Sequence, residues 1–159
     1  MMKKNRKAFS LLTAIIVIVL MATVAILVMD MSGKIVRETT TQYRKEQAIL
    51  LAKSYTEFAI MAVSANDRSI DCIENINGNN VIGSDANGEG YQVDTRISYI
   101  GNSTTANLNT CAGTRRLSTT VKTPGSDLQI IVDVYVRYKE LDNTSADWIT
   151  YHRRTLQKI

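Results

Sequence analysis

The chain has 159 residues and carries 19 basic against 15 acidic side chains, a formal net charge of +4. Four of the basic residues, Lys3, Lys4, Arg6 and Lys7, lie at the extreme N-terminus, and beyond them the chain balances 15 against 15. The pI of 9.1 therefore does not describe a basic nucleic-acid-binding domain, and the 130 residues beyond Met29 are enough for one small domain with a modest core.

The basic tip spans residues 1–8. Residues 9–29 follow, 21 positions without a charge. As a helix that run would span ~32 Å at ~1.5 Å per residue, about one hydrocarbon core. A cleavable secretory signal has a shorter apolar stretch, roughly 7–15 residues, and a small-residue site after it. Here the far end reads Val28-Met29-Asp30-Met31-Ser32-Gly33, which lacks such a site, and the small residue Ala8 precedes the run. The run is therefore expected to stay on the protein as a transmembrane helix. The positive-inside rule keeps the tip cytoplasmic and exports everything after Asp30.

Residues 30–65 are predicted to continue the helix as a stem outside the membrane. No proline occurs between 34 and 65, and Leu51, Tyr55, Phe58 and Ala62 recur at spacings of four, three and four. That makes one apolar stripe, with Glu38, Arg44, Lys45, Glu46, Lys53 and Glu57 on the other sides. The weak point is Asp30-Met31-Ser32-Gly33, where Gly33 costs up to ~1 kcal/mol relative to Ala.

Residues 66–159 read as a globular head. The stretch 66–90 is rich in Asn, Asp, Gly and Ser, a surface-loop signature. Tyr91, Val93, Thr95, Ile97 and Tyr99 then alternate with Gln92, Asp94, Arg96 and Ser98, a strand pattern. A polar loop follows over 101–114, and 117–122 is a second strand candidate. Pro124-Gly125-Ser126-Asp127 is a turn. Leu128, Ile130, Val132, Val134, Val136 and Tyr138 give the strongest strand of the chain. A loop over 141–147 and a last strand over 148–156 complete the head. The expected class is α+β: a long N-terminal membrane-embedded helix packed by a small antiparallel sheet, a meander of three or four strands that covers the stripe.

Little in the head suggests chemistry. Cys72 and Cys111 are the two cysteines, and outside the cytoplasm an even pair favours a disulfide over two free thiols. No CxxC is present, which argues against redox catalysis or zinc. His152 is the one histidine, and it lacks a Ser, Cys or acid partner in a recognisable motif. GxSxG, HExxH and P-loop patterns do not occur, so the chain is not expected to be an enzyme. Asp85, Asn87 and Glu89, in Asp85-Ala86-Asn87-Gly88-Glu89-Gly90, look like the opening of a calcium loop, but the position that should hold its last carboxylate is Arg96. A solvated turn is the plainer reading, and calcium is the one cofactor weighed. Arg115, Arg116, Lys122, Arg153 and Arg154 could form a phosphate-binding patch; a solvated sheet face is expected instead, so DNA is not an expected partner. Asn102-Ser103-Thr104 and Asn143-Thr144-Ser145 match the glycosylation sequon, a frequent chance match.

The junction Lys7-Ala8-Phe9 with the uncharged run behind it resembles the leader of type IV prepilins and type II secretion pseudopilins. In that family a small residue precedes a mature N-terminal Phe. The resemblance implies cleavage by a prepilin peptidase between Ala8 and Phe9, N-methylation of Phe9, and assembly of subunits on an inner-membrane platform into a filament for protein secretion, pilus assembly or DNA uptake. The head would lie in the periplasm or at the cell surface. The usual fifth mature residue is Glu, thought to pair with the N-terminal amine of a neighbouring subunit. Here it is Thr13. A threonine supplies no charge, and its hydroxyl can bond the carbonyl one turn back. Such a subunit should add poorly onto an existing filament and could occupy the tip, as a tip pseudopilin that also lacks this Glu is thought to do. A tolerated substitution in a minor subunit is the plainer alternative. From another class, the chain would be a single-pass membrane protein whose head binds a ligand or partner without polymerising.

Overall fold

The structure, a computed structural model, describes residues 6–79, 81–84, 89–121, 124–140 and 147–159, with side chains described from Leu11 onward. It divides into two compact units, Met1–Gln42 and Tyr43–Ile159. One helix, α1 (Arg6–Ala65), occupies the first unit and supplies the first element of the second. No proline interrupts it, and Asp30-Met31-Ser32-Gly33 is helical like its surroundings. The helix ends where Asn66 and Asp67 offer the backbone local alternatives. Asp67 accepts hydrogen bonds from the Ser69 amide (3.0 Å) and hydroxyl (2.7 Å). The Arg68 guanidinium donates to the Val63 carbonyl at 3.1 Å, satisfying a last-turn acceptor.

The second unit is α+β, as the sequence predicts: the C-terminal part of α1 packs against a small, mainly antiparallel sheet. Its strands are β1 (Asn75–Gly78), β2 (Gln92–Gly101), β3 (Arg116–Ser118), β4 (Leu128–Tyr138) and β5 (Ile149–Lys158). The spatial order is β1-β2-β4-β5, with β3 also on β2. Two details depart from a simple meander. The stretch 66–90 contributes β1, which pairs antiparallel with β2 through Asn75↔Arg96 to Gly78↔Val93. Short β3 runs parallel to β2, next to Tyr99 and Ile100. The chain reaches β3 through two 3-10 turns, Leu108–Thr110 and Gly113–Arg115. It thus returns along the edge of β2 that β1 occupies further on, instead of reversing in a hairpin. The predicted strand over 117–122 shrinks to β3 and an isolated antiparallel bridge between Thr120 and Asn102. The expected loop over 141–147 falls, but for Asp147, outside the described residues.

The core lies between α1 and the inward faces of β2 and β4. Val93, Ile97 and Tyr99 from β2, and Ile130, Val132, Val134 and Val136 from β4, are all buried. The helix face they meet is centred one residue along from the predicted one, with Leu51 and Tyr55 of the predicted stripe half-buried at its margin. Buried positions are Ala48, Ala52, Thr56, Ala59 and Val63, whereas Phe58 is more than half exposed. The correction is one residue in phase and has a steric cause. The sheet presents large β-branched and aromatic groups, so the helix can approach only with small side chains, and density is kept by alternating large against small. Thr56 fits this face because its hydroxyl donates to the Ala52 carbonyl at 2.7 Å. Arg44, expected on a polar side, is buried as well.

The predicted polar loop over 101–114 also holds core residues, Ala106, Leu108 and Cys111. Cys72 and Cys111 form a disulfide that ties the segment after α1 to the first 3-10 turn.

Candidate functional site

In the first unit, α1 carries its apolar groups outward. Leu11, Leu12, Ile15, Ile16, Val17 and Ile18 begin a series of exposed large apolar side chains that extends to Val36. The stretch is long and apolar enough to cross a membrane. Its polar residues cost little in such a setting because they bond their own helix: the Thr23 hydroxyl donates to the Leu20 carbonyl at 2.8 Å. Thr13 lies on this exposed helix.

In the second unit the helix has a second apolar stripe, directly opposite the one under the sheet. Tyr43, Leu50, Phe58 and Met61 are each more than half exposed. At ~100° per residue Tyr43, Leu50 and Met61 fall within ~20° of one line and Phe58 within ~60° of it, about 180° from Ala52. Tyr55 and Phe58 make an edge-to-face contact with ring centroids 6.5 Å apart. Exposed Glu57 and Glu46 fall within ~40° and ~60° of the same line, so this side interleaves large apolar groups with charge, and the exposed apolar area is suited to contact.

Next to that helix is a cavity of about 270 Å³ bounded by Tyr43, Arg44, Gln47, Ile82, Gly83, Glu89 and Tyr91. The Arg44 guanidinium lies 5.2 Å from the centroid of Tyr91 and 5.8 Å from that of Tyr138. It donates to the Glu89 main-chain carbonyl at 3.0 Å. The Tyr91 hydroxyl bonds Gln47 Oε1 at 2.9 Å and the Arg44 carbonyl at 3.2 Å. Burial raises the pKa of both tyrosines, with the nearby Arg44 charge opposing it.

The outer face of the sheet carries a polar cluster that sequence reasoning missed. Register sets Asp133 opposite Arg154 and Tyr135 opposite His152. Asp133 Oδ1 lies 2.7 Å from both His152 Nε2 and Arg154 Nε, and Oδ2 lies 3.0 Å from Arg154 Nη2. His152 stacks on Tyr135 at 4.4 Å, and Arg96 covers the same ring at 5.1 Å. Only the alternation of β4 and β5 could have signalled this, and only once their register was known.

The Asp133 side chain is 10% exposed, its partners His152 and Arg154 40% and 64%. Burial pushes the Asp133 pKa up, but hydrogen bonds from Arg154 and His152 outweigh it, and the net direction is down. A carboxylate depressed in the folded state stabilises the fold above its unfolded pKa of about 3.9, and that contribution is lost as pH falls through the lower folded value. Asp133→Asn should cost about 1 kcal/mol at pH 7, kept small because the cations are open to water. Urea melts should find the gap between wild type and variant closing as pH falls below the unfolded value of about 3.9.

The residues singled out in the sequence scatter. Ala8 and Phe9 lie in the first turns of α1, and their side chains are outside the described residues. Asp85 and Asn87 are also outside them, while Glu89 is exposed and offers Arg44 its main-chain carbonyl. Among the described residues no cluster of three His, Cys, Asp or Glu side chains could hold a metal ion. The four described cations of the five do not form one patch. Arg115 and Arg116 sit by the β1/β3 edge, where Arg115 bonds Asn75 at 2.8 Å, and Arg153 and Arg154 are on β5 beyond two intervening strands. Lys122 is outside the described residues. Comparison with family models, with curated proteins and with solved structures found no match.

Proposed function

We infer that the chain is a structural subunit, a minor pilin or pseudopilin, of a type IV pilus or type II secretion filament. The observation that carries this is the continuation of apolar exposure along α1. An uncharged outward-facing segment is followed, in the head unit, by a helix whose open side exposes Tyr43, Leu50, Phe58 and Met61 beside Glu46 and Glu57. A lipid anchor alone needs only the first. Lateral packing of helices from several subunits uses both.

In this reading a prepilin peptidase cuts between Ala8 and Phe9 and Phe9 is N-methylated. The helix sits in the inner membrane with the head outside the cytoplasm, and subunits then pass through an assembly platform into a periplasmic or cell-surface filament. Thr13 in place of the usual Glu removes the partner for a neighbour's buried amine, which costs several kcal/mol when left uncompensated. That favours a tip or initiating position, where no subunit lies ahead. The work is mechanical, and neither catalysis nor a cofactor enters it.

The test is the N-terminus of the protein extracted from membranes of cells that contain a prepilin peptidase. Mass spectrometry should find a chain that starts at methylated Phe9. An intact Met1, or a cut beyond Met29, would overturn the reading in favour of a non-polymerising single-pass protein with a ligand- or partner-binding head.

A further inference from the structure

Among the described residues the sheet has one long open edge. β1 and β3 divide the outer edge of β2 between them, whereas no strand among the described residues pairs with the outer edge of β5. β5 is regular over its whole length: ten residues pair with β4 without a bulge, Gln129↔Lys158 through Tyr138↔Ile149. Long, flat edges of this kind invite another strand unless something blocks them. β5 has no proline, and half-buried positions alternate with exposed ones along it.

Its charges select among occupants. Ile149–Lys158 contains Arg153, Arg154 and Lys158 and no acidic residue. A two-fold axis normal to the sheet sets each residue of one β5 opposite a same-face residue of its copy, and the two most central registers set Arg153 against itself or Arg154 against itself. Like charges directly opposite are destabilising in a sheet, so the edge is built against its own copy. It is complementary to an acidic strand. The core-side face of β5 adds a second sign. Arg153 Nε is buried and has no hydrogen-bond partner among the described residues. A carboxylate on the same face of a strand added outside β5 would be a cross-strand neighbour of Arg153.

We propose that β5 is a docking edge for an extended acidic segment of a different protein, which joins the sheet as a sixth strand through main-chain hydrogen bonds and sets its carboxylates against Arg153 on the core-side face, Arg154 on the other face being held by Asp133. This does not depend on the membrane reading, and its failure would leave the N-terminal test untouched.

The experiment uses the full chain in detergent micelles and a fluorescein-labelled ten-residue peptide that alternates valine with glutamate. Saturable binding is expected, with slowed amide exchange on β5. A peptide alternating valine with lysine should not bind. A central proline in the acidic peptide should weaken it at least about tenfold, because proline cannot donate to the ladder. Arg153→Glu should weaken it about tenfold, with Arg153→Gln, which keeps a neutral donor, between the two. No saturable binding of the acidic peptide up to ~1 mM overturns the proposal. So does equal binding of the proline peptide, which would mean charge attraction without strand addition. Dimerisation of the chain through β5, or displacement of the peptide by single-stranded DNA, would assign the edge to a different occupant and equally overturn it.

Discussion

Replacing Cys72 and Cys111 together with alanine is expected to lower the stability of the head by about 3–4 kcal/mol. The two are 39 residues apart, and a cross-link of that length removes a large share of the unfolded chain's freedom in the loop-entropy account. The native state should change little, because other bonds hold the same junction. Arg68 Nε donates to the Ala106 carbonyl at 3.2 Å, the Thr110 hydroxyl donates to the Arg68 carbonyl at 2.5 Å, and the Glu74 carboxylate accepts from the Ala112 amide. Both sulfurs are buried, so alanine leaves small apolar gaps and no stranded polar group. Urea unfolding in detergent, followed by the fluorescence of Trp148, the one tryptophan, should give a lower midpoint with nearly native spectra at zero urea. Reductant should move the wild type to the same midpoint and leave the variant where it is. A midpoint insensitive to both would mean that the polar contacts alone secure the junction.

Ala59→Leu, on the buried face of α1, is expected to cost about 1–3 kcal/mol or more, whereas Phe58→Ala should cost well under about 1 kcal/mol. The contrast inverts the usual expectation that removing a phenylalanine does more harm than enlarging an alanine. Ala59 is fully buried against the sheet, so three added carbons must displace side chains already in contact. Phe58 lies on the open side and touches Tyr55 edge-on. Melts of the two variants under the same conditions decide between the faces. If Phe58→Ala proves the more damaging, the stripe of Leu51, Tyr55, Phe58 and Ala62 is the packed one after all.

That contrast also locates the limit of sequence reading for this fold. The helix is legible because 60 residues contain no proline and the uncharged run admits little else. β2 and β4 are legible because strict alternation over about ten residues has no competing helical interpretation. The packed face of the stem is not. Periodicity weights large apolar residues, and here the partner surface demands small ones, a fact that lives in the sheet and not in the helix. β1, Asn-Ile-Asn-Gly, has one apolar residue and exists because β2 offers it an edge. The Asp133 cluster has a similar origin. Asp133 and Arg154 are 21 positions apart, and only cross-strand register makes them neighbours.

A row of alanines is smooth along the helix axis, and this bears on how the head resists a pull. Apolar area holds sheet and helix together face to face but does little to stop one sliding past the other. Axial position falls to a few polar and steric pegs. Near one end the Tyr91 hydroxyl engages the Arg44 carbonyl and Gln47. In the middle β1 passes so close to the helix that a Cβ on Gly78 would lie 2.1 Å from the Tyr55 oxygen. At the far end Arg68 ties the last turn to the Ala106 carbonyl. Force applied along the stem would therefore be borne first by these pegs. A head loaded this way should yield by shear at Tyr91 before its hydrophobic layer opens.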